Sequence, residues 1–171
     1  MKDLHGLIRD IPDFPKKGIL FKDITPLLRD PNSFGKVVDE IVKSISDKKI
    51  DLVACMEARG FLLGGAIAYK LGAGLVPIRK KGKLPYRTKH VTYALEYGQD
   101  TLEVHEDAIH SGEKVLIVDD LLATGGTASA VVELVRSLGG QVAGIVFLIE
   151  LASLKGRERL KGYNVTSLIE F

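Results

Sequence analysis

Val115-Leu116-Ile117-Val118-Asp119-Asp120-Leu121-Leu122-Ala123-Thr124-Gly125-Gly126-Thr127 is an apolar, mostly β-branched run that ends in two carboxylates and a hydroxyl- and glycine-rich turn. The run over 114–118 predicts a buried strand, and Ala128, Val131, Leu134, Val135 and Leu138 then share one face of a following helix. Gly125 and Gly126 let the backbone approach an anion closely, while Thr124, Thr127 and the free N–H groups of the first helical turn can donate to phosphate oxygens. Asp119 and Asp120 alternate in direction at the strand end, yet both lie one turn from this cradle and can accept from sugar hydroxyls. A glycine pair alone also fits an ordinary strand-to-helix turn. The turn lacks the lysine of a Walker A loop and the Gly-x-Gly-x-x-Gly of a dinucleotide site. Cradle and carboxylates together describe a ribose 5-phosphate site.

Outward from this stretch, strands and helices alternate. Phe34, Val37, Val38, Ile41, Val42 and Ile45 share a face at helical spacing, predicting a helix over 33–48 with start signals in Asp30-Pro31-Asn32. Residues 51–56 read as a short buried strand, followed by an apolar helix over 61–71 that Gly72 can end. Further strands are predicted at 74–79, 141–149 and 164–169, and an antiparallel pair at 91–97 and 101–105 around a turn at 98–100. The pattern implies an α/β fold: a mainly parallel open sheet flanked by helices, with binding loops at the carboxyl ends of the strands.

Composition narrows the class. At 171 residues and 46% hydrophobic content, one domain spanning 1–171 is expected. The 24 basic and 22 acidic side chains leave a net charge of only +2, which favours neither nucleic acid nor an anionic membrane as a partner. Cys55 is the only cysteine and the start shows no apolar signal run, so the expected location is cytoplasmic. The four histidines, at 5, 90, 105 and 110, are not grouped with other ligands, and no metal held directly by side chains is expected.

The strand ending in Asp-Asp with Ala-Thr-Gly-Gly-Thr resembles the phosphoribosyl pyrophosphate signature of type I phosphoribosyltransferases. Leu20-Phe21-Lys22-Asp23-Ile24-Thr25-Pro26, Glu57-Ala58-Arg59-Gly60-Phe61, Ile78-Arg79-Lys80-Lys81-Gly82-Lys83-Leu84-Pro85 and Leu95-Glu96-Tyr97-Gly98 resemble the adenine-specific members in order and spacing. The likeness runs along nearly the whole chain. It implies a small N-terminal hood, a flexible antiparallel catalytic loop, a homodimer, and Mg2+ bound with phosphoribosyl pyrophosphate through substrate oxygens. The implied substrates are adenine and phosphoribosyl pyrophosphate, and the products AMP and pyrophosphate.

Carried over residue by residue, the resemblance implies that Asp119 and Asp120 hold the ribose and that Ala123, Thr124, Gly125, Gly126 and Thr127 hold the 5-phosphate. Arg59 and Lys83, with Lys80 and the turn residues Glu57 and Ala58, are implied to hold pyrophosphate; the Glu57-Ala58 peptide is implied to be cis. By themselves, the four cations of Arg79-Lys80-Lys81-Gly82-Lys83 also fit a solvated surface cluster. Glu96 is implied to manage the purine nitrogen proton, with Tyr97 positioning it; read alone, their segment is equally an exposed hairpin. Leu20, Phe21, Lys22 and Leu151 are implied to enclose adenine, although Phe21 also reads as core and Glu150 is ambiguous. Transfer to another base, a non-catalytic effector sensor and a generic nucleotide-binding α/β domain remain as rival readings of the residues.

Overall fold

The computed structural model describes residues 4–94 and 98–171. Near its N-terminus β1 (Arg9–Ile11) pairs antiparallel with β2 (Phe21–Asp23), forming a small separate sheet. After α1 (Thr25–Arg29) comes α2 (Pro31–Ser44). It starts two residues earlier than the spacing predicts, because Pro31 presets helical φ at the first turn. It also ends sooner, at Ser44 rather than 48: the Ser44 hydroxyl donates to the Ile41 carbonyl and the Ser46 hydroxyl to the Lys43 carbonyl. Those side chains satisfy carbonyls that a further turn would otherwise occupy.

The remaining strands are β3 (Leu52–Met56), β4 (Gly74–Lys80), β5 (Thr88–Ala94), β6 (Gln99–His105), β7 (Lys114–Leu122), β8 (Gln141–Glu150) and β9 (Val165–Glu170). They form one seven-stranded sheet in the order β5-β6-β4-β3-β7-β8-β9. Pairing is parallel from β4 to β9, and β5 and β6 add an antiparallel extension. Gln99 and Asp100, read as turn from the sequence, already belong to β6, since Ala94 pairs with Gln99. β7 also runs on through Asp119 to Leu122, because Leu121 and Leu122 pair with Ile149 and Glu150 of β8.

Two cores follow from the two-residue period of β7. Val115 and Ile117 join Phe147, Val131 and Leu134 in one cluster, which takes in α4 (Gly126–Ser137). Leu116 and Val118 join Ile41, Leu63 and Ile67 in the other, beneath α2 and α3 (Arg59–Leu71). Burial on both faces explains why β7 reads as an unbroken apolar run. Gly72 ends α3 in the left-handed conformation, at φ 65°. Among the described residues, no helix is long and apolar enough to cross a membrane.

α3 lies close on β3: a Cβ at Gly64 would stand 2.5 Å from Cys55 Cβ and 2.8 Å from its Sγ. Gly64→Ala is expected to cost about 2 kcal/mol by overpacking and to lower the melting temperature by roughly 4–8 °C. An unchanged melting temperature would show that the helix can lift off the strand freely.

Candidate active site

β7 carries Asp119 and Asp120 to the carboxyl edge of the sheet. Asp120 is buried and Asp119 half-buried, and the Asp120 N–H donates to Asp119 Oδ1 at 2.9 Å. Burial, reinforced by the neighbouring Asp120 carboxylate, pushes Asp119 well above the usual carboxylate range. Burial also raises Asp120, against the pull of Arg59, whose Nη2 lies 2.7 Å from Asp120 Oδ2. Gly60 makes room for this arrangement, since a Cβ there would approach Asp119 Oδ1 to 2.8 Å.

Directly after β7, residues 123–127 curl around a cavity of about 70 Å³ that Asp119 and Phe147 also line. Gly125 adopts φ 80°, the left-handed region. The Ser129 N–H is the first in the helix to find a backbone acceptor, the Gly125 carbonyl, so the preceding amides of the first turn stay available to an anion. The Tyr93 hydroxyl of β5 lies 3.3 Å from Thr127 Oγ1, joining the antiparallel extension to the cradle. A larger open groove of about 540 Å³ runs past Ser129, Val132, Arg136 and Tyr163, but it shares no lining residue with the cradle and contains neither carboxylate.

The cradle is braced from behind by Gly156, which the sequence reading missed. A Cβ on Gly156 would stand 2.2 Å from the Ala123 carbonyl oxygen, and one on Gly125 would stand 2.4 Å from the Gly156 carbonyl oxygen. Only two glycines tolerate so close an approach. A lone glycine in Leu154-Lys155-Gly156-Arg157 gives no sign of that role in the sequence.

Arg59 ties the remaining candidates together. Besides Asp120, its guanidinium donates to the Lys22 carbonyl at 3.0 Å and lies 4.5 Å from the centre of the Phe21 ring. Residues implied to hold ribose, pyrophosphate and base thus meet on one side chain. In the Leu20–Lys22 segment, Phe21 packs edge-on against Phe14 and Leu20 is exposed, whereas the Lys22 ammonium is buried against Asp10 at 2.7 Å. The Leu151 N–H donates to the Leu122 carbonyl at 2.9 Å, which holds Leu151 beside the end of β7. The neighbouring Glu150 is structural: Arg157 grips both its carboxylate oxygens, and the Ser167 hydroxyl donates to it at 2.5 Å. Its burial would raise its pKa, but these donors hold it below the ordinary value.

The cationic loop is less gathered. The Glu57-Ala58 peptide is cis, as the resemblance implies. Glu57 pairs with Arg79 at 2.8 Å and the Lys80 ammonium with Asp100 at 3.2 Å. Lys83 is exposed, and its loop is held from below by Glu103, another residue the sequence did not reveal. Glu103 accepts the N–H groups of Lys83 and Leu84 at 3.0 and 2.9 Å. Against the raising effect of burial, these backbone donors hold its carboxyl low. Glu96 and Tyr97 lie outside the described residues. Burial and Asp119 push the Cys55 thiol up to about 12, so it carries no thiolate chemistry near neutral pH.

Comparison with known proteins agrees with this geometry. The family model described as "Phosphoribosyl transferase domain" matches residues 27–171. The chain belongs to that phosphoribosyltransferase family, within its adenine phosphoribosyltransferase branch. It is 58% identical over 169 residues to the adenine phosphoribosyltransferase of Thermotoga neapolitana, covering 99% of each chain. The crystal structure of the Thermoanaerobacter pseudethanolicus adenine phosphoribosyltransferase superposes with a TM-score of 0.96 at 55% identity, covering 98% of both chains. The Saccharomyces cerevisiae enzyme, crystallised with adenine and an imino-altritol bisphosphate, gives 0.90 at 42% identity, covering 96% of this chain and 95% of that one.

The raised Asp119 pKa has a measurable sign. Its folded-state value lies above the unfolded one, so ionisation opposes folding at higher pH and that penalty fades as pH falls through the folded pKa. Asp119→Asn is therefore expected to melt above the parent at pH 8, with the gap closing on acidification, while nucleotide formation drops. A variant less stable than the parent at pH 8 would contradict the cost of burying the Asp119 carboxylate beside Asp120.

Proposed function

We propose that the chain transfers the 5-phosphoribosyl group of phosphoribosyl pyrophosphate to adenine, releasing AMP and pyrophosphate, a purine-salvage reaction. The observation that carries this reading is the carboxylate pair near the carboxyl end of β7, set beside an anion cradle and joined through Arg59 to the Phe21–Lys22 segment.

In this reaction Ala123, Thr124, Gly125, Gly126 and Thr127 receive the 5-phosphate, and Asp119 and Asp120 accept from the ribose hydroxyls. Arg59 leaves Asp120 for the departing pyrophosphate, with Lys80, Lys83 and the Glu57-Ala58 turn around it. The bond between the anomeric carbon and the pyrophosphate oxygen breaks, the electron pair leaving with oxygen, as the adenine ring nitrogen bonds to that carbon from the other face. Glu96 takes the proton from the adenine nitrogen, and Tyr97 positions it. Leu20, Phe21, Lys22 and Leu151 enclose the base.

Among the described residues no three His, Cys, Asp or Glu side chains gather into a metal site. Mg2+ would enter with phosphoribosyl pyrophosphate, held chiefly by substrate oxygens, with Asp119 and Asp120 nearby to orient the hydroxyls. Bound there, Mg2+ would neutralise charge on the leaving group. The chain works as a homodimer, for which exposed Leu62 and Tyr69 on α3 and Leu75 on β4 supply apolar surface. Its setting is the cytoplasm, where one buried free cysteine is at home.

The test is incubation of the purified chain with Mg2+, phosphoribosyl pyrophosphate and each free base in turn, with chromatography of the products. AMP is expected from adenine alone, and Arg59→Gln is expected to lower kcat/KM by roughly 10²–10³-fold, the usual cost of losing one donor at a developing charge. Nucleotide from a different base alone would overturn the adenine assignment, and no product from any base would overturn the transferase reading.

A further inference from the structure

We infer that Phe171 is a positioning residue for the base site, fixing the two segments that face adenine from opposite sides; this rests on the placement of adenine proposed above. Phe171 follows the last strand, β9, and grips the Leu151 segment through its backbone. Its N–H donates to the Glu150 carbonyl and its own carbonyl accepts the Ala152 N–H, both at 2.9 Å. Leu151 lies between these two hydrogen bonds and is tied on its other side to Leu122. The Phe171 ring at the same time reaches the N-terminal sheet, where the buried Lys22 ammonium lies 3.8 Å from the ring centre.

That contact bears on the base-reading backbone. Lys22 is held at three points: its ammonium by Asp10 and by the Phe171 ring, its carbonyl by Arg59. A buried ammonium with one carboxylate partner gains from an aromatic face, and the gain rises with desolvation. The His5 ring meets Phe171 edge-on, with centroids 4.9 Å apart, so the ring is clamped between the N-terminal segment and Lys22. Phe171 therefore couples the height of the Leu20–Lys22 wall to that of the Leu151 wall. The spacing between those walls is what a flat purine would read.

Phe171 is 37% exposed and belongs to neither buried core cluster, so its replacement tests position more than folding. The experiment compares steady-state kinetics of Phe171→Ala, Phe171→Leu and Phe171→Tyr with the parent, with Leu151→Ala as a control on the base site. Phe171→Ala and Phe171→Leu are expected to raise KM for adenine about five- to tenfold, the range of a partly desolvated cation–π contact, with kcat and KM for phosphoribosyl pyrophosphate within about twofold of the parent. Phe171→Tyr, which keeps the aromatic face, should restore the parental KM.

If Leu151→Ala raises KM for adenine and the Ala and Leu variants at 171 do not, the inference fails while the base site stands. If kcat and both KM values worsen together and Phe171→Tyr does not recover them, the residue is only scaffold and the inference fails. If Leu151→Ala leaves KM for adenine unchanged, the base site lies elsewhere, and the inference falls with it.

Discussion

Two adjacent carboxylates near the carboxyl end of a buried central strand are costly to ionise, and a single guanidinium compensates one of them. Arg59 holds Asp120 at 2.7 Å, while Asp119 keeps a raised pKa from burial and from its neighbour. Such an arrangement is poor for stability and good for binding hydroxyls, since desolvated carboxylates are strong acceptors. The missing Cβ at Gly60, beside Arg59 at the start of α3, leaves room for the Asp119 carboxylate.

The same guanidinium links the site's parts. It spans from Asp120 to the Lys22 carbonyl and the Phe21 ring, so the side chain proposed to neutralise pyrophosphate also contacts the proposed base wall. In the proposed reaction, substrate replaces the Asp120 contact, and the ribose hydroxyls take over the freed carboxylate. Behind the proposed phosphate cradle, the back-to-back approach of Gly125 and Gly156 leaves the loop little room to shift. Preorganisation of this kind lets amide donors face an anion without rearranging first.

The sequence made the centre of this structure legible, because a both-faces-buried strand leaves a continuous apolar run and a glycine turn marks its end. β7, α4 and the glycine turn between them were readable for that reason. Element boundaries were less so: β7 runs four residues past Val118 because β8 pairs with Leu121 and Leu122, and no local pattern announces a partner's length. β1 and β2 were missed altogether, being three residues each and too short to show a period. The roles of Gly156, Glu103 and Glu150 depend on contacts made by distant residues, such as Ser167 for Glu150, which periodicity does not encode. The cis peptide at Glu57-Ala58 and the identity of the base were legible only through resemblance to a family.

A crystal structure of the chain with AMP, pyrophosphate and Mg2+ tests the central claim most directly. The account predicts the AMP phosphate on the amides and hydroxyls of residues 123–127, the ribose hydroxyls on Asp119 and Asp120, and the base between Phe21 and Leu151. It also predicts Arg59 released from Asp120 and turned to the pyrophosphate. AMP bound elsewhere, or an intact Arg59–Asp120 pair with both products in place, would contradict it.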